Sequence, residues 1–258
     1  SFRDTDSFTV GGGAPANIIL YNVQTGVISN PFAGSGAPTL TASGANATLT
    51  LGGNNILDGV IITNGGTGAG ILGNGASGTL TIRNSTISGG SAGALRIYDN
   101  AANVVLALSN LTLAANGGNI LNLDGTGTGT LTLTQLANLT VNHTTETGGF
   151  VFSDVTFDSD TLTAGLQAVN AGALTLGTTG ARITGDGLSL TNVTGTLNFS
   201  DLNIANNGGT GLIVANSKVN NFTLGTTGGA IDTTNGTAIN LDPLCINMVL
   251  NSVSAGGG

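Results

Sequence analysis

Short runs in which every second residue is apolar recur along the whole chain, and Gly, Thr and Asn break each run before a helical period can develop. That pattern predicts strands closed by turns. A longer repeat lies over it, of the form apolar-x-apolar-x-Asn/Asp-x-x-apolar. It reads Leu80, Ile82, Asn84, Ile87; then Leu106, Leu108, Asn110, Leu113; then Phe150, Phe152, Asp154, Phe157; and Leu197, Phe199, Asp201, Ile204. Looser copies start at Leu131, Leu174, Phe222 and Met248. The eight anchors (Leu80, Leu106, Leu131, Phe150, Leu174, Leu197, Phe222 and Met248) are 19 to 26 residues apart, with a mean of 24.

A second short strand follows each anchor, and often a third, as at 94–98, 119–123, 187–190 and 238–241. Three strands of about four residues at ~3.3 Å each, with three turns, fill one coil of this length. The expectation is an all-β parallel solenoid in which equivalent Leu, Ile and Phe stack into core ladders at a ~4.8 Å repeat. Asn84, Asn110, Asp154 and Asp201 are placed at turns, because Asn and Asp tolerate left-handed backbone and Asn amides stack from coil to coil. Two registers stay open between residues 131 and 173. Phe150 to Phe152 either opens a coil or forms the third strand of the preceding one, with Val155 to Phe157 opening the next. Residues 1–45 do not keep the period and read as an irregular lead-in or cap; residues 46–258 read as the β-helix, expected to continue past the abrupt Gly256 to Gly258.

Composition narrows the class further. Charged residues are 7% and mean hydropathy is +0.31, which excludes disorder, while 44 Gly with only 4 Pro and no strict triplet period exclude collagen. A net charge of −8 has the wrong sign for phosphates or an anionic bilayer, and no apolar run approaches a membrane span. Nucleic acid and direct membrane insertion are therefore not expected. The single cysteine, Cys245, cannot make an internal disulfide.

Runs such as Gly78-Thr79-Leu80-Thr81-Ile82-Arg83-Asn84-Ser85-Thr86-Ile87-Ser88 and Leu188-Ser189-Leu190-Thr191-Asn192-Val193-Thr194-Gly195 resemble the repeats of large bacterial surface proteins of the autotransporter-passenger and adhesin type. The resemblance extends over about residues 46–258 and implies a right-handed, pectin-lyase-like parallel β-helix, secreted and engaging surfaces. It implies little about chemistry, since such folds carry lyases, hydrolases, adhesins and tailspikes alike.

Candidate chemistry is sparse. Asp99 and Asp124 follow the third strands of consecutive coils, with Arg96 on the neighbouring strand, and two close carboxylates beside a guanidinium can do acid/base work on a polysaccharide. Their competing role is that of ordinary turn residues. Asp154, Asp158 and Asp160 form the densest acidic run, a candidate Ca²⁺ site, although Asp154 already has a turn role. His143 and Glu146 are the sole residues of their kinds and show no ligand spacing, and no Gly-x-Ser-x-Gly elbow is present. Gly65 to Gly70 precedes no helix, so it is not read as a phosphate loop. Asn-x-Ser/Thr triplets at Asn84, Asn110, Asn138 and Asn192 follow from the composition. Outward Thr pairs (Thr48/Thr50, Thr79/Thr81, Thr130/Thr132) are of the kind that builds flat threonine arrays in ice-binding solenoids, but Val105, Ala107, Val151 and Ser153 interrupt the row.

The resulting expectation is a non-catalytic structural or adhesive segment of a large bacterial cell-surface or secreted protein, extracellular, without cofactor, and able to stack end to end into filaments. Its expected partners are other surface-protein segments, copies of itself, or a host or environmental glycan or receptor. The alternatives are a polysaccharide lyase or hydrolase, and a surface-binding module for glycan or ice using outward Thr rows.

Overall fold

The computed structural model describes residues 7–9, 37, 39–141, 149–157, 170–177, 182–217, 222–242 and 245–257. Among them there is no helix, and all strand pairs are parallel. The chain winds as a β-solenoid of about 7 turns with about 26 residues per turn. A 15-stranded sheet and an 8-stranded sheet run the length of it.

A regular turn gives one long strand to the large sheet and one short strand to the small sheet. Ser77–Gly89, Val104–Ala115 and Leu131–Val141 are long strands; Leu95–Tyr98, Leu121–Asp124 and Phe150–Ser153 are short ones. Each of those three long strands bends at one asparagine. Asn84, Asn110 and Asn138 have φ of 51°, 52° and 53°, a left-handed conformation in which Asn is among the few tolerated side chains. The bend also reverses which alternate residues face inward: Leu80 and Ile82 are buried before Asn84, and Ser85 and Ile87 after it. The spacing apolar-x-apolar-x-Asn-x-x-apolar is the sequence image of that parity change. Two of the three strands expected per coil are thus the two limbs of one bent strand.

Stacking turns in register builds the core. In the small sheet Leu49, Ile71, Leu95, Leu121, Phe150, Leu188, Leu212 and Ile239 follow one another rung by rung. In the second limb of the long strands Leu40, Ile62, Ile87, Leu113 and Val141 do the same. All but Ile239 are buried in one cluster. One rung is glycine for a packing reason. Gly195 registers between Phe157 and Phe222, and its missing side chain lets those two rings meet with centroids 5.8 Å apart. A Cβ there would collide with the Phe157 carbonyl oxygen.

The structure corrects several readings of the repeat. Phe150 belongs to the small sheet, between Leu121 and Leu188, and Val155–Phe157 opens the next turn in register with Leu131 to Leu133. This is the second of the two registers left open. Leu174 pairs with Leu139 and Leu202 in the second limb, not with the first-limb anchors. Counting Leu174 as a coil of its own shortens the apparent repeat to 24, against about 26 observed. Leu106 registers with Leu133, two residues past Leu131, because alternation alone cannot distinguish a shift of two. Leu80, Leu197 and Phe222 are buried first-limb residues, and Met248 packs on the core only in part. Thr48 is buried and donates to the Thr63 carbonyl, 2.9 Å away, so it is not an outward threonine.

The strand Ser7–Thr9 pairs with Thr39–Ala42, which pairs with Ile61–Asn64 of the next turn.

Leu121→Ala removes one interior rung and is expected to cost about 2–5 kcal/mol. Thr132→Ala, on the outward side of the following strand, is expected to change stability by less than about 0.5 kcal/mol. Urea unfolding followed by circular dichroism measures both; equal losses would contradict the register.

Candidate functional site

Two kinds of corner carry most of the polar side chains named by the sequence. At the bend of the long strands, side-chain amides form a chain along the solenoid: Asn84 Nδ2 donates to Asp58 Oδ1 (2.7 Å), Asn110 Nδ2 to Asn84 Oδ1 (3.0 Å), and Asn138 Nδ2 to Asn110 Oδ1 (2.9 Å). Every bond runs from the later turn to the earlier. The first member needs only an acceptor, and it is an aspartate, held in turn by Arg83 at 2.9 Å. The other corner follows the short strands. There Asp99, Asp154, Asn192 and Asn216 have φ of 51° to 54°, and Asn192 Nδ2 donates to Asp154 Oδ1 at 3.2 Å.

This geometry locates each candidate. Asp99 is the left-handed residue of its corner. Asp124 sits one position earlier, as the last residue of its strand, because Leu123 registers with Ile97; its Oδ1 accepts the Thr126 amide at 3.0 Å. Arg96 lies opposite Asn122 and Leu72, with its guanidinium carbon 4.2 Å from the centre of the Tyr98 ring. The ion pairs among the described residues are Arg83–Asp58 and Arg182–Asp232, so Arg96 joins neither carboxylate. Asp154 is a corner residue, as above, whereas Asp158 and Asp160 lie outside the described residues, as do His143 and Glu146. Among the described residues no three His, Cys, Asp or Glu come together as metal ligands. Asp201 has no left-handed backbone; it lies within the strand Thr194–Asn207, paired with Ala173. Cys245 is half-buried beside Thr223.

Other polar groups were not singled out by the sequence. Asn64 and Asn206 point inward, two positions after the core residues Ile62 and Ile204, and bond the backbone of the turn they close. Asn64 Nδ2 donates to the Asn46 carbonyl at 2.7 Å, and Asn206 Nδ2 to those of Gly185 (3.0 Å) and Gly208 (2.9 Å). Thr233, the next rung, donates to Asn206 Oδ1 at 2.5 Å. Asn100 is fully buried at a position filled by Ala76, Val155 and Val193 in other turns, and neither its amide nitrogen nor its oxygen has a partner. On the outer side, Asp232 accepts from the Ser254 hydroxyl and the Arg182 guanidinium, which together hold its carboxyl below the usual carboxylate range. In a chain so rich in Asn and Thr, alternation relative to the nearest Ile was the one available signal.

No helix among the described residues is long and apolar enough to cross a membrane. Comparison with protein-family models, with curated proteins and with solved structures finds no match.

Asn110→Ala loses both ladder bonds and puts a Cβ residue without local hydrogen bonding at φ 52°. A loss of about 2–3 kcal/mol is expected from the two effects together. Asn110→Gly relieves the backbone and is expected to recover about 1 kcal/mol of it, so the two melting curves separate strain from bonding. For Asp232, the depressed folded pKa means its contribution is present above about pH 4 and fades as pH falls through the folded value. Asp232→Asn is expected to lower Tm slightly at pH 7, and the difference from the parent is expected to shrink as pH falls below about 4, as thermal scans across that range will show.

Proposed function

We propose that this chain is a non-catalytic structural and adhesive β-solenoid segment of a large bacterial cell-surface or secreted protein, able to build filaments by end-to-end stacking. The observation that carries this reading is how the reactive side chains are used. Asp99 forms a corner, Asp124 holds a turn amide, and Arg96 lies on Tyr98. A site for acid/base chemistry needs such groups converging on a substrate, not committed to separate backbone and ring contacts.

The last described turn is built to carry a further turn, whether of the same chain or of a second copy. Val253 and Ile246 occupy the rungs after the buried Ile231 and Leu224, yet they are 49% and 46% exposed. The strands Cys245–Met248 and Ser252–Gly256 also present a free edge of backbone donors and acceptors. An apolar end bounded by strand edges fits another solenoid turn better than it fits water.

Light scattering and electron microscopy of the full chain over a range of concentrations test the proposal. Rods longer than one solenoid are expected, and the double substitution Ile246→Asp, Val253→Asp is expected to abolish them. Particles that stay single at every concentration would remove the filament reading. Cleavage of polygalacturonate or a neutral glycan that disappears in Asp124→Asn would replace the structural reading with the enzymatic one.

A further inference from the structure

The threonine row that is broken on the first limb holds through four consecutive turns on the second. Along the first limb the outward positions run Thr79, Val105, Thr132 and, two residues on, Thr81, Ala107. Along the second limb consecutive turns place Thr39, Ile61, Thr86, Thr112, Thr140 and Thr175 at one outward position. The neighbouring position carries Thr41, Thr63 and Ser88, and then the buried Ala114. Between Thr39 and Thr175 the first of these rows contains no charged side chain, amide or aromatic ring; Asn203, Ala230 and Ser252 follow it in the later turns. Thr86 and Thr140 are exposed and Thr112 and Thr175 half-buried, and each of these four lies in a strand between two buried residues, as Thr86 does between Ser85 and Ile87.

We propose that this strip binds ice. A parallel ladder repeats at about 4.8 Å, so the strand register places Thr86, Thr112, Thr140 and Thr175 at about that interval along one face. Waters linked by hydrogen bonds of about 2.75 Å at the tetrahedral angle put second neighbours about 4.5 Å apart. The row therefore offers anchor points close to a repeat of the ice lattice. Each Thr hydroxyl donates one bond and accepts two, while the adjoining methyl leaves the surrounding water to bond to itself. β-Branching limits χ1, so the hydroxyls keep their spacing without a large ordering cost. Absence of charge matters as much, because an ion would orient its hydration shell about itself and break the lattice. A polysaccharide would instead call for a ring to stack on or an amide or carboxylate to pair with its hydroxyls; the threonine row from Thr86 to Thr175 has none, and the corner amides beside it bond to one another along their own column. This inference is independent of end-to-end stacking.

Thermal hysteresis and partition of the full chain into a slowly grown ice shell are the measurements, with binding to microcrystalline cellulose and chitin run beside them. The chain is expected to separate melting from freezing and to enrich in ice several-fold over serum albumin. Thr112→Lys, at the centre of the row, is expected to remove most of that enrichment. Thr132→Lys, on the first limb, is expected to leave it unchanged, and Thr112→Val, which keeps the shape and loses the hydroxyl, to reduce it in part. Circular dichroism melts establish that each variant folds. No hysteresis with exclusion from ice, an equal loss in the Thr112→Lys and Thr132→Lys variants, or retention on cellulose or chitin instead of ice would each overturn the proposal.

Discussion

Parallel hydrogen bonding between successive turns is the constraint from which the remaining features follow. Each strand can pair only if the turn before it presents the same backbone phase at the same height, so an inward residue in one turn obliges an inward residue one turn later. Where the chain must change direction, the change has to be made at the same place in each turn, by a residue that can turn left-handed. Gly59, Asn84, Asn110 and Asn138 meet that demand at one edge, and Gly75, Asp99, Asp154, Asn192 and Asn216 at the other. The core is then a set of columns rather than a single cluster around a centre, and its stability is close to a sum over neighbouring turns.

Asparagine serves this arrangement twice. Its backbone accepts the left-handed corner, and its amide has a donor and an acceptor on one planar group, so a column of corners becomes a column of bonds. Glycine provides only the first of these. The head of the column at Asp58 follows from the direction of donation, since a carboxylate accepts but does not donate. Buried polar groups in the interior divide differently. Asn64 and Asn206 satisfy backbone that the turn would leave unpaired, while Asn100 buries an unpartnered amide at a cost of about 1–3 kcal/mol relative to its apolar counterparts.

The architecture was legible in the sequence because the corner leaves a distinctive trace: alternation, an Asn, then alternation in the opposite parity. The two edges of the solenoid leave nearly the same trace, however. Phe150-x-Phe152-x-Asp154 closes the small sheet, whereas Leu106-x-Leu108-x-Asn110 bends the large one. The pattern cannot distinguish them, and so the sequence left Phe150 open as the start of a turn or the end of one until the register placed it at the end. The threonine strip was missed for a related reason. Thr86, Thr112 and Thr140 stand two residues past the corner asparagines, where local reading sees Asn-x-Ser/Thr triplets and only the register aligns them into a row.

The direction of those inter-turn bonds has a mechanical meaning. They lie along the solenoid axis, so a pull along that axis loads them in tension, and because each turn leans only on its neighbours the load concentrates at one interface at a time. The molecule would yield by unwinding rather than by shearing. Each turn of about 26 residues that comes free lengthens the chain by roughly 80–90 Å, while the turns behind it keep their columns intact. Such a body holds its length under small forces and dissipates large ones in steps.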